Sequence, residues 1–298
     1  MTVARAAVTP WALVVDRIVA LAAVPGRLLV VTDFDGTIAP ITPEPMATRV
    51  LPLGRAALRR LAGLAEAHPD RLALVVLSGR AAADVAGRVR VGGVRYLGNH
   101  GVEGGSLARR SPAERLAVAT DPALVRHAPT VRRLADDVAG RLDHPDWLFV
   151  EDKGPTVAFH FRRAADGDAA RTAVLAAIDD AETASGELGL VRLEGRRVVE
   201  LHPEGAGHKG AAVARLLDEV RPAAAIVLGD DRSDAEAFRV IGVARATGRL
   251  GDGLAVGVHG AAETPSELVE SADVILAGPR DAARVLALLS REVSTRLA

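Results

Sequence analysis

The run Leu28-Leu29-Val30-Val31 empties into Asp33-Phe34-Asp35-Gly36-Thr37. A short apolar run of this kind reads as a buried strand. Asp and Gly also make ordinary turns at strand ends, so five residues alone do not establish a site. Two Asp at i and i+2, however, repel one another unless a cation or a shared proton relieves them. A hard divalent cation takes oxygen ligands, and Mg2+ usually combines one or two carboxylates with a substrate phosphate. The stretch therefore points to phosphoryl chemistry, with one Asp as nucleophile and the other as acid/base, provided the rest of such a site follows at later strand ends.

Further short apolar runs, Leu72–Leu77, Arg95–Leu97, Ala225–Leu228 and Ala255–Val258, alternate with helical patterns over Leu53–Ala67, Ala81–Val89, Ala211–Val220 and Ala235–Ile241. That alternation predicts an α/β fold with a parallel sheet, whose ligands collect outside the carboxyl ends of the strands. The middle reads differently. A single helix is expected over Asp121–Leu142, then a hairpin of Trp147–Val150 and Thr156–Phe161 about Lys153-Gly154-Pro155. A helix over Gly167–Ala184 and a second hairpin, Leu190–Leu193 with Arg197–Leu201, follow. Together they predict a small antiparallel sheet with two helices on one face, inserted over residues 108–204 between core segments 1–107 and 205–298.

Composition narrows the function classes. The 298 residues fit one large domain or two ordinary ones, and 49% hydrophobic with 25% charged residues is globular usage. A formal charge of -1 supplies no field for nucleic acid or an anionic membrane, so an anionic substrate needs a local positive site. Aromatics are 3%, which argues against base-stacking surfaces and leaves cores to Ala, Val and Leu. The absence of cysteine excludes disulfides, thiolate metal sites and Cys nucleophiles. No apolar run approaches membrane-span length. Trp11–Val24 is interrupted by Asp16 and Arg17 and reads as an amphipathic helix, not a signal segment. A cytoplasmic location is the default expectation; protein partners are not legible.

Four further motifs follow strand patterns in order. Ser78-Gly79-Arg80 either caps a helix or binds phosphate oxygens at its N-terminus. Asn99 and His100, in Gly98-Asn99-His100-Gly101, make a turn, or touch substrate or the hinge of the insert. Lys209, in Gly207-His208-Lys209-Gly210, is either a solvated lysine or neutralises a phosphoryl group or nucleophilic Asp; His208 reads as solvent-facing. Gly229-Asp230-Asp231-Arg232-Ser233-Asp234 sets three carboxylates in five residues. Helix capping accounts for one of them, not three, so Asp230 reads as a metal ligand with Asp231 or Asp234 beside it.

The ordered series resembles the haloacid dehalogenase-type phosphatases from about Leu28 onward. That resemblance implies a doubly wound, mostly parallel Rossmann-like core sheet with an inserted α+β cap domain of the larger type. Together with Glu151-Asp152-Lys153-Gly154 and His160-Phe161-Arg162, these motifs are similar to the trehalose-6-phosphate phosphatase family. Alternation puts Val157, Phe159 and Phe161 on one strand face and Ala158, His160 and Arg162 on the other. Glu151 and Lys153 likewise share a side. Such a set can hydrogen-bond sugar hydroxyls, and it also fits an ordinary surface ion-pair network. The chain departs from the family at Ala235, with Glu236 one later, at His202 in place of Arg, and at Arg196 in place of Lys.

What the resemblance implies is a Mg2+-dependent phosphatase acting on a phosphosugar, most simply trehalose 6-phosphate. Asp33 is then the nucleophile and Asp35 the acid/base. The metal is held by Asp33, the Asp35 backbone carbonyl and Asp230, with Asp231 in or next to that shell. Ser78 and Lys209 hold the phosphoryl group, and Asp234 orients Lys209 or metal-bound water. Thr37 ties down the nucleophile loop near substrate, alongside Arg80, Asn99 and His100. Glu151, Lys153, His160, Arg162, Arg196 and Glu200 recognise the sugar, and closure of the insert excludes water. Alternatives are another phosphosugar such as glucosyl-3-phosphoglycerate or sucrose phosphate, a phosphosugar mutase, a non-catalytic sugar-phosphate sensor or synthase subunit, and a phosphatase acting on a protein.

Overall fold

In the computed structural model the described residues are 7–42, 48–120, 122–185, 189–195, 197–204, 208–259 and 264–297. The chain divides into two compact units, Met1–Ala119 with His208–Ala298, and Thr120–Gly207. The first unit opens with helix α1 (Trp11–Ala23), then β1 (Leu28–Thr32), α2 (Pro52–Ala67), β2 (Leu72–Leu77), α3 (Ala82–Val89), β3 (Val94–Gly98) and β4 (Glu103–Leu107). A two-residue strand β5 (Ala119–Thr120) straddles the division. Residues 108–119, which the sequence pattern assigns to the insert, continue the first unit: Ala113 and Leu116 pack against its core.

The second unit contains α4 (Pro122–Val125), α5 (Ala128–Arg141), β6 (Phe149–Asp152), β7 (Val157–His160), α6 (Gly167–Ser185), β8 (Leu190–Gly195) and β9 (Val198–Pro203). Its antiparallel sheet runs β6-β7-β9-β8. Val157, Phe159, Val199 and Leu201 face Val131, Leu134, Val138, Val174 and Ile178 of the two long helices in one buried cluster. The face assignment made from alternation is thus the observed one. The single helix expected over Asp121–Leu142 is instead two. Pro129 sits in the first turn of α5, and its missing N–H and ring keep the preceding residues from continuing one ladder. Asp121 itself lies outside the described residues.

Back in the first unit come α7 (Lys209–Val220), β10 (Ala224–Gly229), α8 (Arg232–Ala246), β11 (Asp252–Val258), α9 (Ser266–Ser271), β12 (Val274–Leu276) and α10 (Pro279–Leu297). The sheet order is β12-β11-β10-β1-β2-β3-β4-β5. Pairing is parallel from β12 to β3 and antiparallel between β3 and β4. All five residues of β1 are buried because helices cover both faces. Val30, Ile226 and Leu228 join one core with α1, α2, α3 and α10, while Leu29, Val31, Ala225 and Val227 join the other with α7 and α8. The one tyrosine, Tyr96, is buried and donates its hydroxyl to Val91 O at 2.6 Å. Strand order reverses direction around β1, which sits between β2 and β10, so the crevice beyond its carboxyl end is the expected ligand site.

The residues before β1, uninformative as sequence, are tied to the far edge: Thr9 N–H donates to Ile275 O, and Ile275 N–H donates to Thr9 Oγ1, each at 2.9 Å. No described helix is long and apolar enough to cross a membrane. Phe159 is fully buried between sheet and helices of the second unit. Its replacement by Ala is expected to cost about 3–5 kcal/mol in urea unfolding; a loss below about 1 kcal/mol would contradict this packing.

Candidate active site

Asp33 N–H donates to Leu228 O at 2.9 Å, which seats the first motif beside the end of β10. The 5%-exposed Asp33 carboxylate there meets Lys209, the first residue of α7. Lys209 Nζ lies 3.0 Å from Asp33 Oδ1, 2.8 Å from Asp234 Oδ1 and 3.8 Å from Asp231 Oδ1. The buried Thr37 hydroxyl donates to Asp230 Oδ1 at 3.1 Å and also faces Asp33 Oδ2 at 3.4 Å. Asp234 Oδ2 accepts the N–H groups of Asp230 and Asp231 at 3.0 and 3.2 Å. Burial, with Asp231, Asp33 and Asp230 nearby, nevertheless pushes the Asp234 carboxyl well above the usual carboxylate range, against the pull of Lys209.

Two glycines make this approach possible. Gly36 has φ +74°, and a Cβ there would stand 1.9 Å from Asp230 Oδ2. A Cβ on Gly229 would stand 2.1 Å from Asp234 Cγ. Neither position admits a side chain while the acidic groups stay where they are.

Oxygens of Asp33, Asp230 and Asp234 lie within 4.8 Å of one another. Asp231 points elsewhere: its Oδ1 accepts Asp234 N–H at 3.0 Å and the Ser233 hydroxyl at 2.7 Å. It is the N-cap of α8, in a reciprocal capping box with Asp234. Burial pushes Asp33 up to about 6, against the pull of Lys209. Burial and the Asp33 charge also raise Asp230 well above the usual carboxylate range. Burial works against the Lys209 ammonium too, but Asp231, Asp234 and Asp33 outweigh it and keep it protonated. One ammonium against three clustered carboxylates leaves negative charge unbalanced. This all-oxygen set fits a hard divalent cation, with Asp33, Asp230 and Asp234 the side chains able to hold it.

The second and third motifs form one turn. Ser78 is buried, and its Oγ accepts Arg80 N–H at 3.2 Å. It is not the cap of α3, whose N-cap is Ala81. The free N–H of Ala82 at that helix start donates instead to Glu103 Oε1 at 2.7 Å. Asn99 N–H donates to Arg80 O, and His100 N–H to Ser78 O, each at 2.9 Å. Asn99 Oδ1 is buried with no hydrogen-bond partner. Arg80 grips Asp35 bidentately, Nε to Oδ2 at 2.5 Å and Nη2 to Oδ1 at 2.8 Å.

In the second unit, register aligns Glu151, Ala158 and Glu200 across β6, β7 and β9. Glu151 Oε2 lies 2.9 Å from His160 Nε2, and Lys153 Nζ lies 3.3 Å from Glu200 Oε1. The hydrogen bond from His160, with Lys153 nearby, holds Glu151 below the usual carboxylate range despite partial burial. The 1%-exposed His202 sets Nε2 3.0 Å from Glu200 Oε2. Arg162 follows β7 and is exposed; Arg196 lies outside the described residues.

Sequence reasoning did not find the Arg80–Asp35 pair, the Glu103 cap, the capping role of Asp231 or the backing of Glu200 by His202. Only the last had a local signal, the i, i+2 spacing that puts Glu200 and His202 on one side of a strand. His208, expected in solvent, caps α7: its Nδ1 accepts Ala211 N–H at 3.1 Å.

A family model described as trehalose-phosphatase matches residues 31–259. Trehalose-phosphate phosphatase of Mycobacterium ulcerans is 33% identical over 221 residues, covering 72% of this chain and 52% of the relative. That of Mycobacterium tuberculosis is 34% identical over 215 residues, covering 70% and 50%. The chain thus spans about half the length of the curated relatives it matches. Among solved structures, the C-terminal domain of Candida albicans trehalose-6-phosphate phosphatase aligns with a TM-score of 0.72 at 19% identity, over 97% of this chain and 99% of that one. A haloacid dehalogenase-like hydrolase from Bacteroides thetaiotaomicron aligns with a TM-score of 0.55 at 15% identity, over 88% and 98%. At these identities the structural likeness concerns the fold.

Asp33 moves from an ordinary 3.8 to about 6 on folding. The folded state therefore holds an extra proton between those values, and stability is lost as pH rises through about 6. With chelator present, the loss between about pH 4 and pH 7 is expected to be on the order of 3 kcal/mol. Urea unfolding across this range should find the slope reduced in Asp33→Asn and reduced again by a divalent cation. Identical slopes in wild type and Asp33→Asn would overturn the electrostatic account.

Proposed function

The chain belongs to the trehalose-phosphatase family, and we propose that it hydrolyses trehalose 6-phosphate to trehalose and phosphate through an aspartyl-phosphate, with Mg2+ as cofactor. The observation that carries this reading is the buried Asp33 carboxylate held 3.0 Å from Lys209 at the end of the central strand, with Asp230 and Asp234 around it.

Asp33 attacks phosphorus, and the bond from phosphorus to the sugar oxygen breaks. Asp35 gives its proton to that leaving oxygen, then takes one from the water that attacks the acyl phosphate. The phosphorus–Asp33 bond breaks in the second step and regenerates the carboxylate. Asp35 must leave its bidentate grip on Arg80 to reach the leaving oxygen, so Arg80 holds the acid/base between turnovers. Lys209 orients Asp33 and offers its charge to a phosphoryl oxygen, while Ser78 supplies a hydroxyl and Asn99 an amide N–H donor. Thr37 fixes the Asp33 and Asp230 carboxylates relative to each other. Mg2+ bound by Asp33, Asp230 and Asp234, with the Asp35 carbonyl, would supply charge neutralisation for the approaching phosphate.

Sugar recognition falls to the polar sheet face of the second unit. Glu151, Lys153, His160 and Glu200 form a connected donor and acceptor set there, with His202 behind Glu200. Arg162 and Arg196 extend it by sequence. A network of this kind can exchange internal pairs for sugar hydroxyls without stranding a charge.

Phosphate release would be followed with trehalose 6-phosphate, glucose 6-phosphate, sucrose 6-phosphate and glucosyl-3-phosphoglycerate, each with Mg2+ and with chelator. Trehalose 6-phosphate is expected to be preferred, Asp33→Asn to lose at least about a thousandfold in kcat, and Glu151→Gln to raise KM about tenfold with a smaller change in kcat. Preference for another member would reassign the sugar, and metal-independent turnover would reject the mechanism.

A further inference from the structure

Of the five phenylalanines, four are interior: Phe34, Phe159, Phe161 and Phe238 are each at most 1% exposed. The fifth, Phe149 at the start of β6, is 59% exposed. A lone exposed apolar side chain is not in itself a site. What distinguishes Phe149 is its neighbours.

Register settles which way it faces. Phe149 is opposite His160 of β7, and His160 is opposite Val198 of β9, in antiparallel pairs. Residues opposite one another project from the same side of a sheet, as do alternate residues along one strand. Phe149 therefore shares a face with Glu151, His160 and Glu200, away from Phe159 and Val199 in the buried cluster with α5 and α6. Its ring stacks on the His160 imidazole, with centroids 5.7 Å apart and planes 28° from parallel. That is the range of offset aromatic stacking. His160 in turn sets Nε2 2.9 Å from Glu151 Oε2. One contact thus fixes the Phe149 ring while most of its surface stays open. Phe149 and Glu151, two residues apart on one strand, stand about 7 Å from each other, the scale of one sugar ring with its hydroxyls.

A pyranose offers two kinds of surface, hydroxyls around its edge and a face of C–H groups. Carboxylates, lysine and histidine suit the first. Bonds to hydroxyls replace bonds to water, so their net gain is small. The C–H face gains by leaving water against an apolar partner, and an aromatic ring is flat and carries a negative face that attracts those hydrogens. We propose that Phe149 is the platform on which a glucopyranose ring of the substrate rests, with Glu151 and His160 taking hydroxyls at the edge of that ring. This rests on the phosphosugar reading above and adds to it an apolar contact for the sugar, which the hydrogen-bonding set does not supply.

Steady-state phosphate release would compare wild type with Phe149→Ala, Phe149→Leu and Phe149→Tyr. The substrate is whichever of the four phosphosugars above wild type prefers, since each carries a hexopyranose. Phe149→Ala is expected to raise KM about five- to tenfold with kcat within about twofold. Because the side chain is exposed, its thermal midpoint should stay within about 2 °C of wild type. Phe149→Tyr should restore the wild-type KM. Phe149→Leu, which keeps apolar bulk without the flat ring, should leave KM raised at least about threefold. An unmoved KM in Phe149→Ala, or full restoration by leucine, would overturn the platform and leave the phosphatase reading standing. A fall in thermal midpoint that accounts for the lost activity would make the ring structural and overturn it too. Self-association of wild type in sedimentation, abolished by Phe149→Ala at constant KM, would assign the ring to a second copy of the chain instead. No turnover of any of the four by wild type would remove the phosphosugar reading and the platform with it.

Discussion

A buried ammonium surrounded by carboxylates organises the first unit. Lys209 is 2% exposed and sits within 3.0 Å of both Asp33 and Asp234. Removing one partner of a buried ion pair strands the other, at about 3–5 kcal/mol. These three side chains come from the end of β1, the start of α7 and the first turn of α8. Their mutual requirement therefore ties together the element ends on one side of β1. The same cluster stays under-neutralised, which is why burial raises Asp33 and Asp230 and why the donor set fits a divalent cation.

The sheet makes that cluster possible. β1 pairs in parallel with β2 and β10, and strand register puts Thr32 opposite Leu228. Asp33 and Asp230 are thereby neighbours despite nearly two hundred intervening residues. Glycine at 36 and 229 then permits carboxylates to approach backbone where any Cβ would collide. The Asn99-His100 backbone braces the Ser78–Arg80 turn in the same manner, through two hydrogen bonds that do not depend on side-chain identity.

The second unit solves a different problem with the same alternation. One sheet face supplies Val157, Phe159, Val199 and Leu201 to a dry core with α5 and α6. The opposite face carries Glu151, Lys153, His160 and Glu200, linked so that each charge has a partner.

Much of this was legible from residues alone. Apolar runs located β1, β2, β10 and β11 because strands buried on both faces have no polar positions to blur them. Period-two alternation assigned the faces of β7 correctly. The DxDGT, Ser, Lys and acidic motifs marked strand ends in order, since turn and charge chemistry is written locally. What stayed hidden were choices made between distant groups. Asp231, expected in or next to a metal shell, is the N-cap of α8 in a reciprocal box with Asp234, whose other oxygen meets Lys209. Arg80 could have met a ligand or a carboxylate, and the fold brought it Asp35. Pro129 split a helix that periodicity alone had joined. Local propensity and hydrophobic period thus determined the elements and the kind of chemistry. Only tertiary packing decided which carboxylate faces which cation, because that depends on distances between segments the chain brings together only when folded.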